Sequence, residues 1–291
     1  MRLVQFFLPG KGKRVGLIQG DGVLDITSPE EGVHSTNDLV AQGQNVAGLV
    51  KRATWLAKRL HRRALDYREL QRAPSRRISH LLMPIDPPEI WGAEERDELG
   101  PDRAVPGARP ALFFKGTGAR AVGPGAPVAI RYDSRLTVPE AGLAAILGAE
   151  GTVVAFTACK DLTARDIARA HPGFLSQAKV YRGSFALGPC LVTQDEYGDP
   201  RPLQIRCSVV RGDGPIFSEA AATVGLPGRL EDLAAWLSRE NPLLPGMVVY
   251  KASGIEMPDA LALRDTDRVD IEVQGVGRLS NPVRGGSAHS R

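Results

Sequence analysis

Residues 154–192 read VAFTACKDLTARDIARAHPGFLSQAKVYRGSFALGPCLV, and the order of patterns inside this stretch decides the fold class. The apolar run VAFTAC reads as a buried strand, KDLTARD is polar, a short helix follows, and after QAKVY a second strand carries LGPCLV. Asp161 falls where the first strand is expected to end. A strand-end carboxylate facing a pocket suits a hard divalent cation, which takes several oxygen ligands from converging strands. The competing reading is an ordinary helix N-cap or turn aspartate.

On the N-terminal side, TVPEAGLAAILG (residues 137–148) sets Glu140 after a proline and ahead of an apolar run that reads as another buried strand. Further strands are expected near 111–115, 127–131, 142–148, 151–158, 187–193, 203–210, 247–251, 268–274 and 276–280, with one long helix at 230–239. The first 25 or so residues, punctuated by PGKGK and GDG, predict a three-stranded meander, and Ser35 to about Leu70 predicts a short and a longer helix. Prolines near 75–90 mark a linker. The expected organisation is α+β: a small N-terminal domain (1–80), a β-dominated domain (81–285) and a flexible tail (286–291).

The chain of 291 residues, 43% hydrophobic, can bury a sizeable core. Its 37 basic and 33 acidic residues make a nearly balanced surface rather than a polycation. The longer helix carries Lys51, Arg52, Lys58, Arg59, Arg62 and Arg63, but no aromatic platform is interleaved, so a solvated face is expected and no nucleic-acid partner. Cys159, Cys190 and Cys207 lack metal or redox spacing and read as buried thiols. With neither a signal-peptide pattern nor an apolar run long enough to span a bilayer, a cytoplasmic protein without membrane partner is expected. G-x-S-x-G, P-loop and helix-opening G-x-G-x-x-G motifs are missing, which removes serine hydrolase, NTPase and dinucleotide readings, so no nucleotide cofactor is expected. His171 reads as a helix-end cap.

FFK (113–115), GPG, ARD, QAK and LGP, in this order along the chain, resemble the fumarylacetoacetate hydrolase superfamily, nearest its branch of 2-keto-3-deoxy sugar-acid dehydratases and diketo-acid hydrolases. The resemblance implies a mixed β-roll domain that dimerises and holds Mg2+ or Mn2+ at the mouth of the roll. It implies that two glutamates of a Glu-x-Glu strand and a later aspartate bind the ion, while a lysine after the short helix assists enolisation. The matching positions are Glu140, Asp161 and Lys179; the second glutamate falls on Gly142. A loop that holds the substrate carboxylate corresponds to YKASGI, with Lys251 and Ser253. Lys251 reads either as a cationic anchor or as a surface strand residue. A Tyr-Glu-Arg pocket element is replaced by AEERDELG.

Together these imply a divergent enzyme acting on a small oxo acid or β-dicarbonyl compound by enolate chemistry: dehydration, C–C hydrolysis, decarboxylation or cyclisation. One of three ligands is lost, so the metal site is weak or absent, and Lys115 with Glu140 and Lys179 forms a candidate acid/base cluster. Such a member suits specialised biosynthesis. Two alternatives stand beside it: an ordinary Mg2+-dependent dehydratase or hydrolase in which Glu94, Glu95 or Asp97 supplies the missing carboxylate, and a catalytically silent, metabolite-binding homologue.

Overall fold

The computed structural model describes residues 1–94, 110–198, 203–223 and 226–285. In chain order the strands begin with β1 (Arg2–Leu8), β2 (Gly12–Gln19), β3 (Gly22–Asp25), β4 (Leu65–Asp66), β5 (His80–Leu81), β6 (Ile90–Glu94), β7 (Ala111–Gly116), β8 (Ala121–Val122) and β9 (Val128–Ile130). They continue with β10 (Thr137–Leu147), β11 (Val153–Ala164), β12 (Phe185–Thr193), β13 (Leu203–Arg211), β14 (Gly214–Thr223), β15 (Val248–Ala252), β16 (Arg268–Val273) and β17 (Gly277–Gly285). The helices are α1 (Thr36–Gly43), α2 (Val46–Leu60), α3 (Tyr67–Leu70), α4 (Arg165–Ala170), α5 (Leu175–Lys179), α6 (Gln194–Tyr197) and α7 (Leu226–Leu237).

The large sheet runs β4-β3-β2-β1-β12-β11-β10-β15-β6-β7, with β5 against β1 and β8 against β12; the small sheet runs β14-β13-β16-β17-β9. Both faces of the large sheet are buried, which is why β10 and β11 read as nearly unbroken apolar runs. Leu143, Ala145, Phe156, Ala158 and Leu162 face the small sheet, packing with Ile205, Val209, Val269 and Ile271. Ala144, Ile146, Ala155 and Cys159 face the other way, beneath α1 and α2, which contribute Leu39, Val40, Leu49, Ala53 and Leu56. Fully burying a leucine of this kind stabilises by about 1.5–3 kcal/mol. α1 starts at a capping box between Ser35 and Asp38, and Asn45 caps α2 by accepting from the Gly48 amide at 2.9 Å. The basic residues of α2 and of the segment just after it meet water and carboxylates: Arg52 of the helix pairs with Glu31, and Arg62, past its end, with Asp25.

The first strands form the expected meander, and they do so within the large sheet. β1 pairs with β12 through Arg2↔Val192 and Leu3↔Leu191. The proline-rich stretch holds β5, where His80 stacks on Phe7 at 5.2 Å. β11 extends beyond its expected end because Thr137–Pro139 of β10 pair with Leu162–Ala164, so Asp161 lies inside the strand instead of after it. β14 was not expected from sequence: most of GPIFSEAAAT is exposed or half-buried, with no apolar run to mark it. α7 covers 226–237 where 230–239 was expected.

Lys160 points from β11 into the layer between the sheets and is fully buried. Its ammonium nitrogen lies 2.6 Å from the Val269 carbonyl and 2.9 Å from Asn281 Oδ1. Burial lowers its pKa to about 7. Among the described residues no helix is long and apolar enough to cross a membrane.

Candidate active site

Neighbouring strands place the charged groups on one face of the large sheet. The β10–β11 register sets Glu140 directly opposite Asp161. Alternation along β15 turns Tyr250 and Ala252 to the same face, and the penultimate residue of β7 is Lys115. The α4–α5 segment leaves β11 after Asp161 and returns Lys179 to it, so a stretch of local chain closes the cluster.

Lys179 is the hub. Its Nζ lies 3.2 and 3.3 Å from the Glu140 oxygens, 3.1 Å from Asp161 Oδ2 and 2.9 Å from Thr163 Oγ1, matching an ammonium's three protons to three residues. Thr163 in turn donates to Glu140 Oε1 at 2.6 Å. Lys115 Nζ pairs with Asp161 Oδ1 at 2.6 Å and also donates to the Lys179 carbonyl. The Lys115–Asp161 contact is an ion pair outside good hydrogen-bond geometry. Asp161 takes a further bond from the Tyr250 hydroxyl. Burial pushes the Asp161 carboxyl up, but the two ammonium groups and the donated hydrogen bonds outweigh it, leaving the carboxyl below its usual range. Burial, reinforced by the Asp161 charge, holds the Tyr250 phenol well above its ordinary value.

Glu140, Asp161, Thr163, Lys179 and Tyr250 line a cavity of about 320 Å³, while Lys115 is buried behind Asp161 and does not reach the cavity wall. The volume is at the small end for ligand sites, about 300–1,000 Å³. The Asp161 side chain is 2% exposed and that of Glu140 25%, so Glu140 is the carboxylate open to a ligand. Arg165 also lines the cavity, held by the Met257 carbonyl at 2.8 Å and Asp259 at 3.0 Å.

Glu140, Asp161, Lys115 and Lys179 therefore converge. Lys251 and Ser253 occupy the alternate positions of the same segment: Lys251 pairs with Leu143 on the opposite side of the pleat from Tyr250, and Ser253 donates its amide to the Ala141 carbonyl at 2.8 Å. The cavity wall passes through Ala252, Gly254 and Ile255 between them. Glu95 and Asp97 lie outside the described residues, as does the side chain of Glu94. His171 caps the turn before α5, accepting from the Gly173 amide at 3.0 Å. Sequence reasoning missed Thr163, Arg165 and Tyr250. Thr163 and Arg165 were signalled by alternation from Asp161; Tyr250 was reachable only through the pairing of β15 with β10.

A resident divalent cation does not fit these residues. Among the described residues no three His, Cys, Asp or Glu side chains are grouped so as to hold a metal ion. The two carboxylates are already neutralised by two ammonium groups, leaving no net negative charge to offset a dication's desolvation. Gly142 cannot simply be replaced by a third ligand, because a Cβ there would run into the Lys251 carbonyl oxygen and stand 3.0 Å from Cys159 Sγ.

Comparison with known proteins agrees with this architecture. The fumarylacetoacetate (FAA) hydrolase C-terminal family matches residues 92–284. The chain is 32% identical over 237 residues to 2-dehydro-3-deoxy-D-arabinonate dehydratase of Saccharolobus solfataricus, covering 76% of this chain and 80% of that protein. It is 27% identical to the mitochondrial oxaloacetate tautomerase FAHD2B of Homo sapiens, covering 97% and 91%. Among solved structures, 2-keto-3-deoxy-D-arabinonate dehydratase complexed with magnesium and 2,5-dioxopentanoate superposes with a TM-score of 0.78 at 26% identity, covering 98% of this chain and 99% of that one. The strand-paired carboxylates, the lysine returned by a short helix and the matched sequence lead to one conclusion: the chain belongs to the fumarylacetoacetate hydrolase family of enzymes.

Proposed function

We propose that this enzyme enolises a small 2-oxo acid carrying a hydroxyl two carbons beyond the ketone, and expels that hydroxyl as water, with the Lys179 ammonium in place of a metal ion. The observation that carries the reading is the Lys179 ammonium held among Glu140, Asp161 and Thr163 in a cavity of about 320 Å³. Glu140 takes the proton from the carbon next to the ketone, and the released electron pair forms the enolate. As Glu140 takes the proton its hold on Lys179 weakens, and the ammonium N–H it releases turns to the enolate oxygen, a donor already in place where it lowers the barrier. Collapse of the enolate breaks the bond to the hydroxyl, which leaves as water with the proton that Glu140 had taken, returning Glu140 to its carboxylate form. Arg165 is the cation available to the substrate carboxylate. Relatives that act on 2-keto-3-deoxy sugar acids support the substrate class.

The test is proton NMR in D2O with metal-stripped enzyme and 2-keto-3-deoxy-arabinonate, 2-keto-3-deoxyxylonate and oxaloacetate. Deuterium should enter at the carbon beside the ketone, product should form from the hydroxylated acids, and Glu140→Gln should lower both rates about 100-fold or more. No exchange with any of them refutes the reading. Turnover appearing only after Mg2+ or Mn2+ is added would instead support the metal-dependent dehydratase, which the magnesium complex of the solved relative favours.

A further inference from the structure

Tyr250 is the one phenol among the residues lining the cavity, and its seat is built for it. The register pairs Gly92 of β6 with Tyr250 on one side and Phe113 of β7 on the other. A Cβ on Gly92 would stand 2.5 Å from Phe113 Cζ and 2.7 Å from Tyr250 Cζ, the atom that bears the hydroxyl. The two rings meet edge to face at 6.1 Å, and Phe185 packs on Tyr250 at 4.7 Å. The ring is fixed on three sides, and its hydroxyl reaches Asp161 Oδ2.

Asp161 Oδ2 thus takes bonds from both Tyr250 and Lys179, while Oδ1 faces Lys115. With Oδ2 taken by two donors, Oδ1 in ion-pair contact with Lys115 and the side chain only 2% exposed, Asp161 is an anchor for the two ammonium groups and is shielded from substrate. Glu140 shares Lys179 but is the more open of the two. Without the phenol, Oδ2 would keep a single donor, and Lys179 would be drawn toward Asp161 and away from Glu140.

We propose that Tyr250, seated over Gly92, is a positioning residue: by holding Asp161 it keeps the Lys179 ammonium shared with Glu140 and leaves Glu140 as the working base. This rests on the enolising reading above. The test compares Tyr250→Phe, which keeps the ring, with Gly92→Ala, which displaces it. Tyr250→Phe should keep the wild-type melting temperature within a few degrees and KM within about twofold, while kcat and deuterium exchange at the substrate fall together by roughly 100-fold, the scale of small misplacements in active sites. Gly92→Ala should lower kcat in the same sense. A packing role alone predicts Tyr250→Phe to be silent.

A second readout needs no turnover: the 1H–15N resonance of the Lys179 ammonium, assigned with Lys179→Met, should move in Tyr250→Phe. If no oxo acid is turned over by the wild type, the enolising reading fails while this resonance still judges the placement of Lys179. An unmoved resonance, or wild-type kcat in Tyr250→Phe, overturns the proposal.

Discussion

Replacing Lys160 by methionine should remove a slope from the stability–pH curve. The amine is fully buried between the sheets, and burial lowers its pKa from 10.5 to about 7. Between those values the folded protein holds a neutral amine while the unfolded chain still binds the proton. The unfolded state then carries more protons, so stability rises with pH; the contribution is complete above 10.5 and lost as pH falls through 7. The slope is about 1.4 kcal/mol per pH unit, or about 2.7 kcal/mol between pH 7.5 and 9.5. Lys160→Met also strips a donor from the Val269 carbonyl and Asn281 Oδ1, a cost of about 1–3 kcal/mol that does not vary with pH. The quantity to read is therefore the change, across the window, in the difference between wild type and variant. Urea unfolding followed by circular dichroism at pH 7.5, 8.5 and 9.5 supplies it. Lys115 and the buried tyrosines act on both proteins alike and cancel. Stabilities that run parallel over the window would refute a neutral Lys160 in the fold.

Gly142→Glu should destabilise by about 1–3 kcal/mol, because its Cβ meets the Lys251 carbonyl, and should bind Mn2+ no better than wild type in a calorimetric titration; a gain in affinity would show that β15 yields. Lys115→Met should cost about 3–5 kcal/mol, since it leaves the buried Asp161 with less compensating charge, and a melting temperature near wild type would contradict the ion pair.

The fold was largely legible because its core strands are buried on both faces and announce themselves as apolar runs. The meander, α1, α2 and most strands followed from such patterns. β14 did not, since a largely exposed strand with three consecutive alanines depends on its partner β13 for definition. Within the site, Glu140, Asp161, Lys115 and Lys179 were marked by motif order, and the structure brings them into contact. Tyr250 was hidden because its role comes from the register between β15, β6 and β10, a relation between distant segments. Lys251 and Ser253 show the same principle: a loop motif names a region, while the pleat decides which alternate residues, here Tyr250 and Ala252, line the cavity.

The adjacency of Lys160 and Asp161 bears on how the chain avoids misfolding. They are consecutive on β11, so one is buried between the sheets and the other in the site. A slip of one residue would turn an acid into the apolar interior and an amine away from its carbonyl and amide acceptors. Misregistered β11 would then bury Asp161 without its ammonium partners and leave Lys160 without the acceptors it has between the sheets. The pair thereby ties the register of the central strand to two separate sets of buried partners, and a one-residue slip forfeits both at once.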